Sequence, residues 1–271
     1  MKSPCLLCVL AGLLILLSTL SGCEGDISYT VKTKIIQVDS LDQIELLHSY
    51  LVKPILYKNI QGLEELPHAD AKVKFISAIL PAILVAKHKL SSTRNKIRRL
   101  HKKENWNGAD SAFYFQTKDT YNGKNLEDLN TKLLTLPTSI VLAQAAVETG
   151  WGESRFFIQA SNLFGIWSFD ATESRIAAGK NRNNKTIFLR SYDDMSTSIT
   201  DYFEVLARAS AYKSLRKARL QTSDPFLLIP HLKNYSERRN WYTRQLKKVV
   251  RQNNLTQYDE YRLDPEYLVK E

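Results

Sequence analysis

From Leu136 to Gly165 the chain stops mixing apolar and polar positions. Ile140, Val141, Leu142, Ala143, Ala145, Ala146 and Val147 follow one another with only Gln144 between them. A helix that is apolar nearly all round belongs inside a domain. Pro137 fits its first turn, where a missing N–H costs nothing, and Gly150 and Gly152 supply the stop, so Glu148 falls in the last turn. Around this segment the pattern predicts further elements. Val31 to Val38 alternates as a short strand, and Leu41 to Tyr57 reads as a helix broken by Pro54. Ala69 to Leu100 is a long helix on Phe75, Ile79, Ile83, Leu84 and Leu90, kinked at Pro81. Trp106 to Asn125 is polar and aromatic and reads as a variable loop, followed by a short helix to Leu134. Glu153 to Ala160 is a second short helix and Asn162 to Gly165 the turn out of it. Ile166 to Tyr192 is an irregular hairpin, with a turn over Gly179 to Asn184 and a strand from Thr186. Asp194 to Ala209 buries Ile199, Tyr202, Phe203 and Leu206, and a last helix runs through Tyr242, Leu246 and Val249. The sum is a mainly α chain, a helical core with a small β-hairpin lobe.

The last turn of a helix is an unfavourable seat for a carboxylate, because the partial charge there is negative. Burial beside Val147 and Trp151 adds to this, and both effects raise the carboxyl pKa, as a general acid near neutral pH requires. A side chain reaching past the glycines into solvent fits the position equally well. Glu153 is the rival acid, but it precedes a helix, where an anion is stabilised; that suits capping, with Arg155 as a partner.

Ala145-Ala146-Val147-Glu148-Thr149-Gly150-Trp151-Gly152, followed by Asn162-Leu163-Phe164-Gly165, resembles the signature of the bacterial glucosaminidases of glycoside hydrolase family 73, more narrowly its Bax-type branch. Thr149 departs mildly from the Ser usual after the Glu. The resemblance runs from about Leu66 to Tyr261. It implies an α+β lysozyme-like fold, cleavage of the β-1,4 bond after N-acetylglucosamine in peptidoglycan, and Glu148 as the catalytic acid. It further implies that the hairpin walls the substrate cleft and that Tyr235 is a cleft tyrosine orienting the acid or the sugar. Trp151, Asn162, Phe164 and Tyr192 are the candidate substrate-binding residues, with Asn162 serving either an acetamide group or the turn itself. Glycosidases commonly use a second carboxylate; Glu173 and Asp170 are the acidic residues of the hairpin before its strand, and a 2-acetamido sugar can replace that group with its own.

Composition narrows the alternatives. The formal net charge of +10 favours anionic partners, and peptidoglycan carries carboxylates; no nucleic-acid motif accompanies the charge. The basic run of Arg94, Lys96, Arg98, Arg99, Lys102 and Lys103 reads as a solvated face. The five histidines are scattered without metal-ligand spacing, so neither a metal nor an organic cofactor is expected. At the N-terminus Lys2 precedes an apolar run from Cys5 to about Leu17, too short for a membrane span of about 20 residues. Leu20-Ser21-Gly22-Cys23 resembles a bacterial lipobox. Once residues 1–22 are removed as a signal peptide, Cys23 is the one cysteine left, and lipidation explains it. The expectation is a monomeric lipoprotein of the cell envelope, leaning to the outer membrane because Glu24 follows the cysteine. Residues 23–65 form an N-terminal segment, 66–261 the glucosaminidase domain and 262–271 a tail. The rivals are a lytic transglycosylase or muramidase on the same glycan, and a non-catalytic wall-binding lipoprotein.

Overall fold

The computed structural model describes residues 29–182 and 185–270; the leader and Cys23 lie outside them. Strands β1 (Tyr29–Val31), β2 (Lys34–Gln37), β3 (Leu51–Val52) and β4 (Ile55–Lys58) precede the helix α1 (His68–Lys102). Then come α2 (Gly108–Thr120), α3 (Leu126–Lys132), α4 (Thr138–Thr149) and α5 (Arg155–Ala160). The lobe of β5 (Trp167–Ser168), β6 (Arg175–Arg182) and β7 (Lys185–Arg190) follows, then α6 (Met195–Arg208), α7 (Lys213–Arg219), α8 (Pro225–Leu228) and α9 (Asn240–Gln252). Strands β8 (Arg262–Leu263) and β9 (Leu268–Lys270) end the chain. This is the mainly α architecture with a small β lobe that the sequence predicts. Among the described residues no helix is long and apolar enough to cross a membrane.

Helix α4 is the axis of the core. Ile140 to Ala146 are buried on every side, as their unbroken apolar run requires. Around it one continuous cluster joins Phe75, Ile79 and Ile83 of α1, Ile199, Tyr202 and Phe203 of α6, and Tyr242, Leu246 and Val250 of α9. Residues 29–65 belong to the same cluster through Val38, Ile44, Val52, Ile55, Leu56, Tyr57, Ile60 and Leu63. The two ends of the chain close over it together: β1 pairs antiparallel with β9, and β3 parallel with β8.

Three predicted elements differ. Leu41 to Tyr57 forms no α-helix; only Leu41–Gln43 makes a 3₁₀ turn, under a Ser40–Gln43 capping box. The residue before a proline avoids helical backbone, and Ile55-Leu56-Tyr57 is buried as a strand parallel to β2. Trp106 to Asn125 is mostly helix rather than loop: Asn107 caps α2 by accepting from the Asp110 N–H, and Asp110 answers at the Asn107 N–H. In the hairpin β6 runs on through Gly179 to Arg182 instead of turning there. Gly179 adopts φ +75° where the register with β7 shifts between Ala177 and Asn181, a bulge that a glycine accommodates.

Candidate active site

The site begins at the C-terminal end of α4. Gly150 takes the left-handed conformation (φ 60°) and returns its N–H to the carbonyl of Ala146. Thr149 tightens the turn from within: its Oγ1 donates to the Ala145 carbonyl at 2.6 Å and accepts from the Gly152 N–H at 3.0 Å. A serine could make both bonds, so the departure at Thr149 leaves this local chemistry intact. Gly152 has φ +97°, and a Cβ there would lie 2.6 Å from Leu63 and 3.1 Å from Phe75. Only glycine fits so close an approach. Trp151, itself at φ +62°, is half-buried, edge-on to Phe75 at 5.6 Å between centroids, with the Lys72 ammonium 5.0 Å over its ring.

This turn leaves Glu148 half-buried, and burial holds its carboxyl above the usual range, offset in part by a hydrogen bond from Tyr242. The Tyr242 hydroxyl, from α9, donates to Oε1 at 2.8 Å. It accepts in turn from Gln144 Nε2 at 3.0 Å, and Gln144 Oε1 accepts from the Tyr202 hydroxyl of α6 at 2.5 Å. Gln144 and Glu148 stand four residues apart and so share one face of α4.

Tyr235, the tyrosine expected beside the acid, stands one ring further out. It stacks on Tyr242 (5.8 Å, 10° between planes) and donates its hydroxyl to the Phe164 carbonyl at 3.1 Å. The tyrosine on the acid is Tyr242. Its signal was present in the sequence as a second aromatic seven residues after Tyr235, and Gln144 was the lone polar residue of an apolar helix. Neither announces that the two meet, because the pairing spans 98 positions.

The other candidates are internal. Asn162 is 2% exposed and spends its whole amide on backbone: Nδ2 donates to the carbonyls of Ile166 and Arg190, and Oδ1 accepts from the N–H groups of Phe164 and Ile166. It pins the turn into the β lobe and offers a sugar acetamide nothing. Phe164 is buried against Tyr202 at 4.2 Å. Tyr192 donates to Asp201 at 2.6 Å, beside Arg190, which bridges Asp201 at 2.8 Å and Glu173 at 3.0 Å. Burial acts to raise the Glu173 carboxyl, but Ser168 and Arg190 outweigh it and hold the group below its usual range. Asp170 turns its carboxylate back onto the N–H and hydroxyl of Thr172. Glu153 is exposed, and Ser154 caps α5 in its place; Arg155 reaches the Ala177 carbonyl of the β lobe rather than Glu153.

A half-buried carboxyl, raised above its usual range by burial at the C-terminal end of a buried helix, is equipped for acid catalysis of bond cleavage. Residues 123–255, just under half of the chain, match the glucosaminidase family model, described as mannosyl-glycoprotein endo-beta-N-acetylglucosaminidase, and this match supports a glycoside hydrolase. Over 210 residues it is 25% identical to the protein Bax of Escherichia coli (strain K12), covering 72% of this chain and 74% of that one. Among solved structures it is similar to a peptidoglycan hydrolase from Sphingomonas sp. A1, at 23% identity and a TM-score of 0.38 over 52% of this chain and 88% of that one. It is similar also to the catalytic domain of the autolysin Auto from Listeria monocytogenes, at 20% identity and a TM-score of 0.39 over 61% and 96%.

Proposed function

We propose that this glycoside hydrolase cleaves the β-1,4 bond after N-acetylglucosamine in peptidoglycan, with Glu148 as the general acid. The observation that carries the reading is the half-buried Glu148 carboxyl at the end of α4, held by the Tyr242 hydroxyl on one oxygen and raised by burial. Such a group holds its proton until a leaving glycosidic oxygen takes it, an effect worth about 10²–10⁴-fold in rate. The net charge of +10 suits a glycan that carries carboxylates. Glu173 and Asp170 are engaged within the β lobe, which favours a route in which the 2-acetamido group of the sugar supplies the nucleophile.

Purified protein and Glu148→Gln are to be compared on peptidoglycan, with circular dichroism as the folding control. The wild type should release fragments with reducing-end N-acetylglucosamine, read by mass spectrometry, and Glu148→Gln should fold and lose nearly all cleavage. Reducing-end muramic acid or its anhydro form would replace this reading with a muramidase or transglycosylase. The same reading places the enzyme at the cell envelope on a lipid anchor at Cys23, because that residue closes a lipobox-like Leu20-Ser21-Gly22-Cys23. Cys23→Ala should move the protein out of the detergent phase, and a soluble, unacylated native protein would refute the anchor.

A further inference from the structure

We propose that Tyr202, Gln144 and Tyr242 form a one-way hydrogen-bond chain that reserves Oε1 of Glu148 as an acceptor and confines the acid's proton to Oε2. Gln144 and Tyr242 are then positioning residues for the cleavage, an assignment that rests on Glu148 being the acid.

The direction follows from counting donors and acceptors. A phenol has one proton, and a carboxamide presents a donor at one end and an acceptor at the other. Tyr242 accepts from Gln144 Nε2, so its own proton is free to go to Glu148 Oε1. Gln144 Oε1 is satisfied by Tyr202. Run in reverse, Glu148 would donate to Tyr242, Tyr242 to a turned Gln144 amide, and the amide to Tyr202. The Tyr202 hydroxyl proton would then need an acceptor. Tyr202 is wholly buried, and among the described residues its hydroxyl bonds nothing but Gln144. A buried donor without a partner is costly, so the chain runs one way. Oε2 makes no hydrogen bond among the described residues and is not among their buried unpartnered atoms, so it keeps some contact with solvent. When Glu148 is protonated, its proton therefore sits on the oxygen that has no internal partner and keeps contact with solvent.

The groups that face the carboxyl leave this arrangement unopposed. Tyr235, Tyr202 and Tyr242 have hydroxyls pushed well above the usual range by burial, and Tyr212 is pushed up to about 12, so all four are neutral in the working range. On the elements packed against α4, Lys87 of α1 and Asp259 of the turn at 255–260 engage Thr138 and Ser139, at the far end of the helix. Lys72 lies over the Trp151 ring. The Tyr242 hydrogen bond favours the carboxylate and burial opposes it, so Tyr242 tunes the acid as well as orienting it.

The experiment is a set of pH–rate profiles on peptidoglycan with the full chain, its Tyr242→Phe and Gln144→Met variants, and Glu148→Gln as the marker for the acid. Tyr242→Phe removes the donor to Oε1 and keeps the ring. It should lower kcat by about ten- to a hundredfold through misplacement of the proton, with KM nearly unchanged. The high-pH limb of kcat should move to higher pH, because the carboxylate has lost its stabilising bond. Gln144→Met should move both quantities in the same direction by less, since Tyr242 still bonds Oε1 but is no longer held in place. If Tyr242→Phe does not fold, Gln144→Met alone decides. A loss of kcat with the limb unmoved marks a merely structural role and overturns the proposal, as does wild-type behaviour in both variants. Inactive Glu148→Gln alongside either result leaves the acid assignment standing; active Glu148→Gln overturns the acid assignment and the chain together.

Discussion

Glu148 occupies its place at the expense of the fold. With the folded carboxyl raised above its ordinary value of 4.5, the native state binds more protons than the unfolded chain, so stability falls as pH rises through the interval above that value. Glu148→Gln removes the titration and keeps the acceptor for Tyr242, so its melting temperature should exceed that of the wild type at neutral pH and converge with it at acid pH. Identical pH dependence in the two proteins would show that the carboxyl is not perturbed. Asn162 is the opposite case, a residue of the motif whose role is internal. Asn162→Ala removes a hydrogen bond from the Phe164 and Ile166 N–H groups and from the Ile166 and Arg190 carbonyls, of which the Ile166 carbonyl keeps the Arg190 N–H. It should destabilise the protein by about 2–3 kcal/mol, since each buried group left unsatisfied costs roughly 1–3 and some will find water. Denaturant unfolding measures this directly, and a normal midpoint together with raised KM would restore Asn162 to the glycan.

Helices were legible where a single local signal decides them. The unbroken apolar run gives α4, the 3.6 period gives α1 and α6, and glycines give the stop before Trp151. The segment at 41–57 was misread because its apolar residues serve two strands and a loop, and the partner of β4 is β2, fixed only by the tertiary fold. Helix α2 was missed although Asn107 and Asp110 have capping-box spacing, because its aromatic and polar residues show no single buried face; Phe115 is 62% exposed. The same limit governs the site. Glu148 is visible from its own helix, whereas Tyr242 needs α9 laid against α4. One contact between elements is testable through its charge. Lys87 of α1 donates to Thr138 at the start of α4, and burial lowers its pKa to about 8, partly opposed by Asp259. A lysine lowered in the fold penalises the folded state fully at neutral pH, and the penalty lifts as pH rises from about 8 to the ordinary 10.5. Thermal melts of wild type and Lys87→Met should therefore diverge in favour of the wild type across that interval. A constant difference between them would mean that Lys87 titrates normally.

On the scale of the whole molecule, the matched family domain spans 123–255, yet the core that supports it draws on both ends of the chain. The eight buried side chains from Val38 to Leu63 each contribute about 1.5–3 kcal/mol on burial, together comparable to or above the 5–15 kcal/mol by which whole domains are stable. One of them reaches the site itself, because Leu63 stands against Gly152 in the turn that sets Glu148. A chain beginning at Leu66 would uncover the part of α1 that packs against β4 and the turn at 63–65, and would take the Leu63 backing from the turn at Gly152. Such a fragment should be insoluble or molten, with 8-anilinonaphthalene-1-sulfonate binding and no cooperative melt. The milder Leu63→Ala should stay folded, lose about 2–5 kcal/mol, and lower activity beyond what its stability explains. If the fragment melts cooperatively and cleaves peptidoglycan normally, residues 29–65 are an appendage and the catalytic turn stands without them.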